Sequence, residues 1–378
     1  MRHLLKDNRL HLHDDDGFHH GFTALWLREA SDDPAWRDPR TGHKLGDGDL
    51  LPIDLLITGT TEEDGGVAVE FSDGHRARFG YPELRGAAED PLLHDLAGAK
   101  HLWNVSTLDG LPWHELDRLQ ADPAELLAVL DDVSRLGFAL VRGIPSDLDG
   151  MQALIDQIGF TRVTDNGAIE DIKALPPEQA YDLSMTPRAL EPHTDNPYRI
   201  PQPGYVLLHC LANDAEGGES GMTDGFQIAE TIRREHPDLF RALTSVPVNW
   251  RYADEQAVLE DSSPFIEVAA DGSISHVRFH GRSDRIPALD PDLIDTFFEA
   301  RRLYSRLISD DANQLRFKLR PGEMFIIDDF RMIHSRTAFT LATGSRHMRQ
   351  AYLDRDVVAS RQKTLMRDLT STPWRHRA

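Results

Sequence analysis

Cysteine is nearly missing from this sequence. Cys210 is the single one in 378 residues, so an intramolecular disulfide and a thiolate-based structural zinc site are both excluded. That scarcity fits a reducing compartment, and a cytoplasmic location is expected. Long apolar runs are missing too. No stretch approaches the roughly 18 residues a membrane-spanning helix needs, and the opening MRHLLKDNRLHLHDDDG lacks the apolar core of a secretory signal. Positive charge is in short supply: 41 Lys and Arg against 63 Asp and Glu leave a net charge of −22. Such a chain repels phosphate backbones and anionic lipid, which argues against nucleic-acid and membrane partners. A small-molecule partner is left, because a pocket can carry a local charge of its own.

What is present reads as mainly β with helices, and 378 residues exceed one simple core. Two domains are expected. Residues 1–100 show short apolar runs between Gly, Asp and Pro turns at 22–28, 55–60, 67–72 and 75–79, which predicts a small N-terminal β domain. The run HLHDDDGFHH within it reads as a solvated loop. In residues 101–378, Leu126, Leu127, Leu130, Val133 and Leu136 recur at helical spacing, with Gly137 placed to end the helix. Apolar strands are predicted at Phe138–Arg142 and at 205–210, 323–328 and 346–354, with a helical insertion over 287–309. Many strands without βαβ alternation predict a double-stranded β-helix, the jelly-roll barrel. Trp26, Trp103 and Trp113 read as packing between the domains.

The chemistry concentrates in EPHTDNP. His193 and Asp195 are two apart, so on an extended strand they share a face and reach one ion. His334, in PGEMFIIDDFRMIHSR, follows a buried strand in a polar loop and is the candidate third ligand. Two His and one carboxylate make the facial triad of non-heme Fe(II) oxygenases. Three protein ligands leave two positions for a chelating 2-oxo acid and one for O2, where four would block the chemistry. Arg346 lies twelve residues after His334, and its guanidinium fork suits the distal carboxylate of 2-oxoglutarate. Ser220, in GGES, can donate to the same carboxylate, and Leu208 lines the channel. A hydrolytic zinc reading lacks an HExxH motif and leaves Arg346 without a role. Asp328 and Asp329 either orient an iron ligand or satisfy turn backbone. Cys210 reads as a buried core thiol. His209 either touches the co-substrate or fills core space.

These segments have a familiar form. HTDNP, PGYVLLHC, GGES, TDGF, PGEMFIIDDFRMIHSR and SRHMRQAY resemble the γ-butyrobetaine and trimethyllysine hydroxylase family, a branch of the taurine dioxygenase-like 2-oxoglutarate oxygenases. ALWLRE, SDGHRARF and YPEL resemble that family's small N-terminal domain. The resemblance implies Fe(II), 2-oxoglutarate and O2, a homodimer, iron on His193, Asp195 and His334, and 2-oxoglutarate on Arg346 and Ser220.

Two departures bear on function. The family often holds zinc through three Cys and one His. Here Ser31, Asp33 and Trp36 stand at the thiolate positions and only His75 is kept, so no structural zinc is expected. The family also encloses a trimethylammonium group in aromatic rings, and Asn166, Glu170, Met185 and Asn196 occupy those positions. A quaternary ammonium would instead meet Asp165, Asp182 and Glu170, with Asn196, Met185, Tyr181 and Tyr198 around it. The segment SHVRFHGRSDR, with Arg278, His280, Arg282 and Arg285, would face the substrate's anion. That many cations exceed what one carboxylate needs, and a phosphonate uses them better. Hydroxylation of 2-trimethylaminoethylphosphonate next to phosphorus is therefore the first expectation, and γ-butyrobetaine the alternative.

Overall fold

The structure, a computed structural model, describes residues 1–89, 100–175, 183–255, 257–342 and 344–370. Asp182 and Tyr181 lie outside the described residues. The chain divides into two compact units, one within Met1–Asp95 and the other within Leu96–Thr370.

In the first unit, alternation along Arg9–His13 sends Leu10 and Leu12 into the core, where they join Val67, Val69 and Phe79. The strands Ile57–Glu63, Gly66–Phe71 and Arg76–Gly80 form a three-stranded antiparallel sheet. Two expectations are corrected here. The His-rich run is a hairpin: Arg9–His13 pairs with His19–Thr23, and His13 lies opposite His19. Its buried Leu residues outweigh the polar ones around them. Of the expected 22–28 strand only Phe22 and Thr23 are extended, ending His19–Thr23, because Ala24–Ala30 is a helix of strong helix formers. Thr23 caps it, its hydroxyl accepting the Trp26 N–H at 3.2 Å. Ser31 Oγ lies 2.9 Å from His75 Nε2.

The second unit is built on two sheets. Among the described residues, one has six strands in the order Trp113–Glu115, Phe138–Arg142, Met324–Asp328, Tyr205–Asn213, Arg346–Leu353, Ile169–Lys173. The other has four, in the order Leu190–His193, Met332–Arg336, Ser220–Asp224, Leu315–Phe317. Residue parity decides what faces where. Ala139, Val141, Tyr205, Leu207, Met324, Ile326, Ala351 and Leu353 pack outward against the helices Pro123–Leu136, Gly150–Ile158 and Arg355–Thr370. Their neighbours Phe138, Leu140, Val206, Cys210, Phe325, Ile327 and Met348 pack inward with Met222 and Met332 of the smaller sheet. The inner faces therefore make the barrel interior, and the continuous apolar runs of the sequence are strands buried on both faces. Gly137 ends the first helix at φ 88°, as its position predicts. Trp103 belongs to this inner core, its indole N–H donating to the Leu136 carbonyl at 2.7 Å.

A third layer holds the helices Gly225–Glu235, Pro237–Ser245 and Pro291–Ile308 against the strands Val248–Ala253, Ile266–Val268 and Ile274–Val277. It carries the segment 278–285 and Tyr252 toward the barrel mouth.

Candidate active site

Backbone pairing brings the three ligand candidates together. Strand Leu190–His193 runs antiparallel to Met332–Arg336 with His193 opposite His334, and the ring centroids are 4.3 Å apart. His334 is thus a strand residue and not the loop residue expected from sequence. Asp195 also departs from expectation, lying past the end of its strand in a turn where Asn196 takes φ 49°. The turn is held from below. Both Asp329 oxygens accept the Asp195 N–H at 3.0 Å, and Gln202 Nε2 bridges the Asp195 carbonyl and Asp329, each at 3.0 Å. So Asp329 orients the turn, while Asp328 accepts from the Phe330 N–H and Arg355. Ligand atoms of His193, Asp195 and His334 all lie within 4.8 Å of one another. Asp195 Oδ1 is 3.5 Å from His193 Nε2 and 3.6 Å from His334 Nε2.

The donor set fits Fe(II). His193 Nδ1 donates to the Glu191 carbonyl at 2.7 Å, which leaves Nε2 unprotonated and turned to the cluster. Burial, with the neighbouring His193, lowers His334 to about 4, so it is a neutral ligand near pH 7. Burial alone would raise Asp195, but the two imidazoles and the Tyr352 hydroxyl hold it well below the ordinary carboxylate range. The second oxygen, Oδ2, accepts from Gln350 Nε2 at 2.8 Å and Tyr352 OH at 2.9 Å.

Next to the cluster is a pocket lined by both sheets. Val206, Leu208, Phe325, Gln350, Tyr352 and Arg346 reach it from the six-stranded sheet, and Ser220, His334, Ser335 and Arg336 from the other. Arg346 is 5% exposed, forms no ion pair among the described residues, and has a buried Nε without a partner. Burial lowers it to about 10. A guanidinium kept out of water without a carboxylate is a costly arrangement, and a ligand carboxylate relieves it. 2-Oxoglutarate fits this end. Arg336 lines the same pocket, but its guanidinium donates to the Ser184, Thr186 and Arg188 carbonyls at 2.6–2.7 Å.

The substrate residues named from sequence divide. Asn196, Tyr198, His280 and Arg282 line the pocket, as do Asp165, Asn166 and Glu170. Thr194 and Phe279 exchange hydrogen bonds of 2.7 and 3.3 Å, which sets His280 beside His193 at 5.6 Å between rings. Burial, then the neighbouring His193 and Arg282, lowers His280 to about 3, so it is neutral. Arg278 is a correction: it is buried and pairs with Glu267 at 2.5 Å across the hairpin of Ile266–Val268 and Ile274–Val277. Met185 is another, 3% exposed in the barrel core and not at the pocket. His209 has outward parity and leaves the pocket to Leu208. Sequence reasoning missed Tyr252 and Asp254. Tyr252 stacks on Tyr198 with centroids 5.3 Å apart and donates to Asp254 at 2.6 Å, and both line the pocket.

Residues 97–352 match the family model of the taurine catabolism dioxygenase TauD, TfdA family. The chain is 31% identical over 322 residues to gamma-butyrobetaine dioxygenase of Pseudomonas sp. (strain AK-1), covering 84% of this chain and 83% of that protein. It is 31% identical over 279 residues to trimethyllysine dioxygenase of Meyerozyma guilliermondii, covering 71% and 68%. The chain belongs to the TauD, TfdA family and is an Fe(II)- and 2-oxoglutarate-dependent dioxygenase. Among solved structures, asparagine oxygenase in complex with Fe(II), 2S,3S-3-hydroxyasparagine and succinate aligns with a TM-score of 0.49 and 18% identity, over 63% of this chain and 81% of that one. No helix among the described residues is long and apolar enough to cross a membrane.

Proposed function

We propose that this dioxygenase hydroxylates a small zwitterion bearing a quaternary ammonium and one acidic group. The pocket's composition carries the reading. The acids Glu170 and Asp254 share it with the stacked Tyr198–Tyr252 pair, and Arg282 with His280, while Asp165 at its edge pairs with Arg199. Carboxylates and aromatic faces suit a diffuse cation that cannot donate hydrogen bonds. Both sequence relatives above are named for trimethylated ammonium compounds.

His193, Asp195 and His334 would hold Fe(II), with Arg346 and Ser220 on 2-oxoglutarate. Fe(II) with 2-oxoglutarate and O2 supplies the oxidising power that converts C–H to C–OH, with release of succinate and CO2. The chain contributes placement. Arg346 fixes the far end of the oxo acid, Leu208, Val206 and Phe325 keep water from it, and the contacts to cation and anion select the carbon nearest the metal.

The pairing of Arg278 with Glu267 reduces the cations available to the substrate anion. Of the other pocket arginines, Arg199 pairs with Asp165 and Arg336 with three main-chain carbonyls, so Arg282 is the one offered to it, with neutral His280 3.3 Å away. One guanidinium matches one carboxylate, which moves a carboxylate betaine such as γ-butyrobetaine to the first reading. 2-Trimethylaminoethylphosphonate is the second, supported by the further donor that His280 offers a third anionic oxygen. A homodimer in the cytosol is proposed with it, on the resemblance of the sequence. The test is a panel of γ-butyrobetaine, 2-trimethylaminoethylphosphonate, trimethyllysine and 2-aminoethylphosphonate, with product mass as the readout. Turnover is expected with a trimethylammonium zwitterion. Turnover of the primary amine alone would overturn the reading.

A further inference from the structure

We propose that Gln350 and Tyr352 are positioning residues that restrict Asp195 to ligation through a single oxygen. The proposal rests on the ligand set given above. A carboxylate beside a divalent ion can offer one oxygen or both. With two imidazoles already bound, the second oxygen would take a position that the chelating oxo acid needs. In this chain the two oxygens have different surroundings. Oδ1 faces the imidazoles at 3.5 and 3.6 Å. Oδ2 faces away and accepts two hydrogen bonds, from Gln350 Nε2 at 2.8 Å and Tyr352 OH at 2.9 Å.

The donors are themselves fixed. Gln350 and Tyr352 sit two apart on strand Arg346–Leu353 and share a face, and Gln350 Nε2 also donates to the Tyr352 hydroxyl. The Asp195 main chain is held by Asp329 and Gln202, so rotation about the side-chain bonds is the freedom left to it. Turning Oδ2 to the metal breaks both bonds and leaves two donors without this acceptor in a half-buried site. The strand that presents Arg346 to the oxo acid thus also keeps the positions for its chelate open.

The experiment uses the full chain with Fe(II) and 2-oxoglutarate under anaerobic conditions. Binding of the oxo acid is followed by the charge-transfer absorption of its chelate, and Fe(II) affinity by competition with a chromophoric chelator. Tyr352→Phe and Gln350→Met preserve volume, and thermal melting monitors folding. The double variant is expected to bind Fe(II) at least as tightly as wild type. It should bind 2-oxoglutarate about 10–100-fold more weakly, with the absorption band diminished. Unchanged 2-oxoglutarate affinity with an intact band overturns the proposal. A parallel loss of Fe(II) and 2-oxoglutarate binding also overturns it, since the pair would then serve only to keep Asp195 in place. Absence of the band in wild type overturns the ligand set itself, and the clamp with it.

Discussion

Two buried arginines of the same unit answer the same electrostatic problem in opposite ways. Arg331 is 0% exposed and its needs are met within the chain. It donates to Asp224 through Nε at 3.0 Å and Nη2 at 2.7 Å, and to the carbonyls of Arg135 and His101 at 2.9 and 2.6 Å. Arg346 is 5% exposed and has a ring 5.6 Å away, that of Phe339, but no carboxylate among the described residues. A buried charge with a full set of partners is architecture. A buried charge without one, beside the metal cluster, is the feature on which the proposed 2-oxoglutarate site rests.

Substitutions at the two positions should separate those roles. Arg346→Met should lower 2-oxoglutarate-dependent turnover by about 10²–10³-fold, since it removes a buried partner of the carboxylate. Because it also deletes an uncompensated charge, melting should show no loss of stability. A clear drop in Tm would break the comparison. Arg331→Met should do the reverse. It strands Asp224 and should destabilise by about 3–5 kcal/mol in denaturant titration, while the fraction that stays folded keeps its KM for 2-oxoglutarate.

His209 sharpens the contrast, being buried with both ring nitrogens unpartnered and outside the lining of the active-site pocket. Burial, with Arg349 nearby, lowers it to about 4. Unfolded His titrates near 6.5, so between these values the unfolded chain holds the extra proton and stability falls as pH drops. His209→Leu should remove on the order of 1–3 kcal/mol of that acid sensitivity, read as the slope of stability against pH from about 6.5 to 4. An unchanged slope would show that His209 does not set it. The smallest effect concerns Cys210. Burial raises its thiol to about 12, so iodoacetamide should leave the folded protein unlabelled at pH 8 and label it only after denaturation.

What the sequence made legible was whatever depends on periodicity or on a motif. The apolar runs FALVR, YVLLHC and EMFIID foretold buried strands, and HxD, His334 and Arg346 marked residues that the fold brings to one pocket. What escaped was set by register and by turns. Arg278 and Arg282 look equivalent in SHVRFHGRSDR. Only the pairing of Ile274–Val277 with Ile266–Val268 puts Arg278 against Glu267. Asp195 needed a left-handed Asn196, a conformation that glycine would have advertised. Tyr252 comes from a separate layer, on strand Val248–Ala253, and nothing local in its sequence points to a pocket more than fifty residues away from the HxD motif.

The central claim is that His193, Asp195 and His334 converge on one Fe(II) that drives oxidation of 2-oxoglutarate. Its most direct test is succinate release by the purified chain with ferrous iron, O2, 2-oxoglutarate and γ-butyrobetaine, compared with Asp195→Ala and His334→Ala. The account predicts succinate in the wild type only when iron is present, and almost none from either variant. Iron-independent succinate, or full activity in a variant that has lost one of the three ligands, would contradict it.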